Sequence, residues 1–192
     1  METRIRTATP QDAPAIQEIY APFVSDAVTS FEYEVPSVSE METRIVSTLV
    51  THPFLVYVND QGRVVGYAYA TQHKGREGYK WVAESSIYLA PEARGSGVGS
   101  ELYAKLMDIL LRQGFYKVVA GISGSNPVSD SFHRKFGFVL VETWPNFGYK
   151  FDSWINVSWY CKELRSTETT SRVNPPIPPI PYSEWRKDET QK

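Results

Sequence analysis

"ARGSGVGS", residues 93–100, stands between a strand-like run, "AESSIYLAPE" (83–92), and a helix-like run, "ELYAKLMDILLRQG" (101–114). Gly95, Gly97 and Gly99 recur at every second position behind Arg94. Glycine accepts φ > 0 and carries no Cβ, so such a stretch brings backbone N–H groups close to a ligand. At a helix start the unpaired amides and the dipole attract an anion. Three phosphate-binding readings compete. A P-loop closes on Gly-Lys-Ser/Thr, whereas Gly99 is followed by Ser100 and Glu101. A dinucleotide fingerprint needs a third glycine where Ser100 stands, and an acid at the end of the next strand, which "YKVVAGIS" (116–123) lacks. The third reading is a pyrophosphate cradle made by Arg94, Gly95, Ser96, Gly97, Val98, Gly99 and Ser100. A turn that merely joins strand to helix explains the glycines alone nearly as well, so the surroundings decide.

Working outward, "RIRTA" (4–8) reads as a strand and "TPQDAPAIQEIYAPFV" (9–24) as a helix with Thr9 ahead of a first-turn proline and Asp12 suiting the dipole. "VSEMETRIVSTLV" (38–50) spaces Met41, Ile45 and Leu49 on one helical face, with Ser37 or Ser39 as cap. "PFLVYVNDQGRVVGYAYA" (53–70) is two strands about the turn "NDQG", followed by a polar insert, "TQHKGREGYK" (71–80). Leu102, Leu106, Ile109 and Leu110 form the buried stripe of the long helix, which Gly114 ends. "PVSDSFHRKFG" (127–137) is a short helix closed by Gly137, and "FVLVETW" (138–144) and "SWINVSWYCKEL" (153–164) are strands. The order βααβββαβαββ predicts an α+β layer fold.

Composition narrows the class. The 192 residues are 42% apolar and 14% aromatic, which predicts one packed domain rather than a disordered chain. Twenty Lys and Arg against 22 Asp and Glu give a net charge of -2, so no basic field exists to draw nucleic acid or an anionic bilayer. The first twenty residues lack the apolar core of a signal peptide and no window reaches membrane-span length, which predicts a soluble cytoplasmic protein. The single cysteine, Cys161, has no internal disulfide partner and agrees with a reducing compartment; the sequon at Asn156 is then expected to be unused. From Arg165 the composition turns polar and proline-rich. The expected division is a domain over 1–164 and a tail over 165–192, in polyproline II form, either mobile or lying along the domain. Its "RVNPPIP" (172–178) has the Arg-x-x-Pro-x-x-Pro spacing that proline-binding partners recognise.

Arg-x-x-Gly-x-Gly between a strand and a long helix resembles the acetyl-coenzyme A loop of the GNAT N-acetyltransferases, and the order of elements matches that superfamily from about Ile5 to Leu164. "NPVSDSFHRKFGF" (126–138) resembles its second cofactor motif on Asn126, Ser129 and His133. More narrowly, "GYAYATQHKGREGYKWVAESSIYL" (66–89) is similar to phosphinothricin acetyltransferases and related enzymes acting on methionine sulfoximine and sulfone, through "GYAYA", Lys74, Arg76, Tyr79, Trp81, "ES" and Tyr88. "TSFEYEVP" (29–36), with Phe31, fits their substrate-lining segment and "GYKFDSW" (148–154) their closing strand motif. The resemblance implies a twisted mixed sheet of six to seven strands flanked by about four helices, acetyl-CoA as cofactor, no metal, and a homodimer joined through the aromatic-rich last strands.

It also implies roles. A free amine is mostly protonated at pH 7, since an α-amino group titrates near ~8, so acetylation needs a base. Glu84 is the candidate, acting through water, against a purely structural carboxylate ending a strand. His133 stands near the expected coenzyme sulfur, with packing or cofactor contact ahead of protonating the thiolate. Backbone N–H groups around Ile87, Tyr88 and Leu89 would hold the pantetheine and carbonyl. Lys74 and Arg76 would grip a carboxylate, with Phe31 and Tyr79 as walls, which selects the α-amino group of a small amino acid or analogue. Cys161 offers an acyl-enzyme route, but no base lies near it in sequence, so direct attack in a ternary complex is favoured. Two alternatives stand beside this: acetylation of a polyamine or protein terminus, and a non-catalytic coenzyme A module whose tail recruits a partner.

Overall fold

The structure, a computed structural model, describes residues 4–168 and 170–189. Its strands are β1 (Ile5–Thr7), β2 (Phe54–Val58), β3 (Val64–Gln72), β4 (Val82–Leu89), β5 (Lys117–Ser123), β6 (Val139–Lys150) and β7 (Ser153–Glu163). Its helices are α1 (Ala13–Ser25), α2 (Val38–Thr51), α3 (Val98–Gln113), α4 (Pro127–Lys135) and α5 (Tyr182–Glu189). The sheet runs β1-β2-β3-β4-β5-β7-β6, antiparallel except between β4 and β5.

Local signals explain most boundaries. Ser37 caps α2: its Oγ accepts from the Glu40 N–H at 3.2 Å while Glu40 accepts from the Ser37 N–H at 2.7 Å, a capping box. Leu102, Leu106, Ile109 and Leu110 of α3 are all buried, and Gly114 ends the helix at φ 103°. In the "NDQG" turn the Asn59 side chain accepts from the Gln61 and Arg63 amides and Gly62 takes φ 75°. The sheet's alternation sorts the core. Tyr67, Tyr69 and Tyr88 face α1 and α2, while Ser85 faces α3, where its hydroxyl meets Tyr103 OH at 2.8 Å.

Two features differ from the sequence reading. Strand β6 continues past Trp144 through an irregularity to Lys150, and the β6–β7 turn is Phe151-Asp152 with φ of 50° and 54°. Neither residue is glycine or asparagine, so the turn carries no ordinary sequence signal. The tail lies along the domain, one of the two forms expected of it, but it ends in a helix, α5, that the proline-rich composition did not announce. The Ile180 N–H donates to the Gln113 carbonyl and the Gln113 side-chain amide donates to the Ile180 carbonyl, both at 2.8 Å; the Trp81 indole N–H donates to the Ile177 carbonyl at 2.9 Å, and the buried Tyr182 hydroxyl meets Thr7 Oγ at 2.7 Å. Arg112 lies 5.0 Å from the Trp185 ring. The tail is a strap across α2, α3 and the foot of β4.

Candidate active site

The site is founded on a fork in the sheet. Parallel pairing of β4 with β5 is confined to Val82–Lys117, Ala83–Val118 and Glu84–Val119. Beyond it β4 stays paired with β3 as far as Leu89, and β5 with β7 as far as Ser123. From residue 85 onward the facing edges of β4 and β5 therefore diverge, exposing strand N–H and C=O groups to a ligand wedged between them. Glu84 sits at the apex.

At the open end of β4 the glycine loop leads into α3. Gly95 and Gly97 take φ of 73° and 92°, and Gly97 is the helix cap, with no side chain serving that cap. Among the described residues, the backbone hydrogen bonds of the loop leave the amides of residues 95–99 undonated. A Cβ on Gly97 would meet nothing within 4 Å, whereas one on Gly99 would come within 3.0 Å of Leu89 Cδ1. Gly97 thus faces open space at a positive φ, and Gly99 permits the close packing of α3 on Ile87 and Leu89. Ser96 Oγ donates to the Ala93 carbonyl at 2.7 Å, which shapes the loop, and the Ser100 amide is used by the Gly97 carbonyl. Arg94 lies over Phe23, 5.5 Å from the ring centre. Tyr88 is packed edge-on against Tyr20 and Phe23, so its backbone, not its phenol, borders the fork.

On the far side of the fork Asn126 caps α4, its side chain accepting from the Ser129 amide at 3.0 Å. His133 is buried among Tyr103, Phe132, Phe138 and Tyr160. Its Nδ1 donates to the Ser129 carbonyl at 2.8 Å, and burial pushes its pKa below the usual imidazole range. The ring is therefore neutral at pH 7 with its proton on Nδ1. Through Tyr103 it belongs with Ser85, on the sheet face opposite Glu84, so the structure does not join the two candidates into one catalytic pair.

What joins Glu84 instead is His73, whose Nδ1 lies 2.9 Å from Glu84 Oε2. The alternation Tyr69-Thr71-His73 puts the imidazole on the Glu84 face, and the pairing Thr71–Glu84 brings the two together. The ring is edge-on to Trp159 at 5.6 Å and to Tyr79 at 6.5 Å, and Lys74 Nζ is 5.3 Å from the Tyr79 ring. Lys74, Arg76 and Tyr79 are exposed on the insert, and Arg76 makes no ion pair among the described residues. A cleft of about 170 Å³ opens on the same face, bordered by Tyr20, Met41, Arg44, Tyr69 and Thr71. Burial pushes Tyr20 up to about 12 and Tyr69 above the usual phenol range, so both hydroxyls are neutral.

Phe31 stacks on Gly148, where an added Cβ would come within 2.2 Å of its ring. The loop carrying Phe31 is held by Lys150, which the sequence reading passed over. Lys150 is 2% exposed, and its Nζ donates to the carbonyls of Val24, Ala27 and Ser30 at 2.6, 3.0 and 2.7 Å. Desolvation lowers its pKa. Burial pushes the Cys161 thiol up, which leaves little thiolate at neutral pH. No metal-binding cluster and no helix long and apolar enough to cross a membrane occur among the described residues.

The sheet is forked between two parallel strands, and amides without a backbone acceptor stand at the head of the following helix. The sequence matches the family described as "Acetyltransferase (GNAT) domain" over residues 5–159, and the chain belongs to this family, whose acetyl donor is acetyl-CoA. It is an acetyltransferase. It is 34% identical to a phosphinothricin N-acetyltransferase of Alcaligenes faecalis over 86% of this chain and 85% of that one. It is 30% identical to the L-methionine sulfoximine/L-methionine sulfone acetyltransferase of Salmonella typhimurium over 83% of this chain and 94% of the relative. Its fold superposes with TM-score 0.84 on a phosphinothricin acetyltransferase of Sinorhizobium meliloti solved with AcCoA, at 34% identity, covering 88% of this chain and 93% of that one. The undonated amides of residues 95–99 and the forked strand edges fit that carrier's diphosphate and pantetheine arm.

Proposed function

We propose that the enzyme acetylates the α-amino group of a small amino acid or analogue of the phosphinothricin, methionine sulfoximine or methionine sulfone type. The observation that carries this is the position of Glu84 at the apex of the fork, with the cationic insert of Lys74 and Arg76 following the strand paired to it. Acetyl-CoA supplies the acetyl group as an activated thioester. The amides of residues 95–99, with Arg94, Ser96 and Ser100 shaping the loop, hold the diphosphate. The β4 edge at Ile87, Tyr88 and Leu89 aligns the pantetheine, and Asn126 and Ser129 order the far wall. Glu84 draws the proton from the amine, Lys74 and Arg76 grip the carboxylate, and Phe31 and Tyr79 wall the side chain. His133, neutral with Nδ1 committed to Ser129, packs the cofactor side rather than delivering a proton. The raised Cys161 pKa favours direct attack over an acyl-enzyme.

The same reading assigns a homodimer to the last hairpin, whose exposed apolar residues include Val139, Val141, Phe147, Phe151 and Trp154. The tail's engagement with its own domain favours a bracing role over recruitment of a proline-binding partner. A thiol-release assay with acetyl-CoA over amino acids, their sulfoximine, sulfone and phosphinate analogues, polyamines and peptides tests the function. Turnover is expected with the amino acid class and should fall at least about 100-fold in Glu84→Gln. Turnover confined to polyamines or peptides would overturn the substrate assignment, and unchanged Glu84→Gln activity would overturn the base.

A further inference from the structure

We propose that the base is the His73–Glu84 pair, with His73 as the member on which the amine's proton settles. This rests on the amine-acetylation reading above and deepens it: Glu84, named there as the proton acceptor, becomes the carboxylate that orients the imidazole, and the imidazole takes the proton. The carboxylate Oε2 accepts from His73 Nδ1 at 2.9 Å, so a neutral His73 carries its proton on Nδ1 and presents Nε2 as a bare lone pair. No described protein atom bonds to Nε2. Both side chains are partly sheltered, 19% exposed for His73 and 35% for Glu84. The groups around the pair are Tyr69 from β3, Lys74 and Tyr79 from the insert, and Trp159 from β7, whose indole N–H is buried without a partner.

Charge and geometry decide between the two members. Protonation of His73 turns its hydrogen bond with Glu84 into an ion pair, while protonation of Glu84 removes the charge from the site. Glu84 then acts as the orienting carboxylate, fixing the tautomer, as in other His–carboxylate pairs.

The substrate ammonium gives one proton to Nε2. The neutral nitrogen forms its bond to the acetyl carbon as the carbon–sulfur bond breaks. The second nitrogen-bound proton goes to the departing thiolate, and the imidazolium returns its proton to water.

The test compares the full-length wild type with His73→Phe, His73→Gln and Glu84→Gln, using an amino acid the wild type acetylates. Gln at position 73 can still donate to Glu84 but cannot take a proton, so it separates positioning from proton transfer. At pH 7 both His73 variants should lose about 100-fold or more in kcat. The deficit should shrink to within a few-fold as pH rises beyond the amine's own titration, because the substrate then arrives neutral, and KM for acetyl-CoA should not change. A merely structural loss would persist at every pH. In the ligand-free enzyme, nitrogen-15 spectra of the labelled histidines at high pH should show His73 protonated on Nδ1. Full activity of His73→Gln at pH 7, a pH-independent deficit, or a neutral His73 protonated on Nε2 would each overturn the proposal while leaving the acetyltransferase reading intact. Absence of wild-type turnover across all amines would remove both.

Discussion

Replacing Lys150 by Met tests how the loop that carries Phe31 is held. Methionine keeps the length and apolar stem of lysine, so packing is largely retained and the ammonium is the group removed. Its loss strips the carbonyls of Val24, Ala27 and Ser30 of one donor each, all three within 3.0 Å of Nζ. Each acceptor left without a partner costs about 1–3 kcal/mol, and the released desolvation of the ammonium offsets part of the sum, leaving a net loss of about 3 kcal/mol. For a chain of this size that lowers the thermal midpoint by about 6–12 °C. The damage should be local in function. Val24 lies in the last turn of α1 and Ala27 and Ser30 in the loop that leads to Phe31, so KM for the amine should rise while KM for acetyl-CoA stays put. Scanning calorimetry with amide hydrogen exchange over residues 24–33 reads both effects. A midpoint within 1 °C of wild type, with undiminished protection of that loop, would refute the claim that one buried ammonium organises it.

Gly97→Ala should cost about 1–2 kcal/mol through the φ of 92° it imposes on a residue with a Cβ. Since that Cβ meets nothing within 4 Å, the protein should stay folded, while calorimetric titration shows acetyl-CoA binding at least about tenfold weaker; undiminished affinity argues against the cradle. Tyr182→Phe removes the bond to Thr7 and should cost about 1 kcal/mol, and Tyr182→Ala about 3–5 kcal/mol, in urea unfolding. Wild-type stability of the Ala variant would deny that the strap braces the domain. His52 is pushed down to about 4 by burial from its ordinary 6.5. Its folded pKa lies below the unfolded one, so its contribution is intact above pH 6.5 and is lost as pH falls toward about 4, amounting to about 2 kcal/mol by pH 5. The stability difference between pH 7 and pH 5 should shrink by that amount in His52→Phe.

The elements were legible because each is written locally. Ser37 with Glu40, the "NDQG" turn, Gly114 and the stripe from Leu102 to Leu110 act over a few residues, and their structure follows from spacing. The glycine loop was legible for the same reason, since its conformation is a property of the residues that make it. The Phe151-Asp152 turn was not, because nonglycine residues in the left-handed region are held there by the strands they join. The tail shows the same limit. Proline content predicts an extended chain, while its docking depends on Gln113, Trp81 and Thr7.

By itself the sequence determined the order of strands and helices, the amide cradle before α3, and the residue types available for acid–base work. Only the tertiary structure decided which of those residues meet. Glu84 belongs with His73, eleven positions away, and not with His133, because antiparallel register and strand alternation set the faces. Lys150 reaches carbonyls more than a hundred residues upstream for the same physical reason: side-chain partners are chosen by packing across the sheet, and that information is spread over the whole chain.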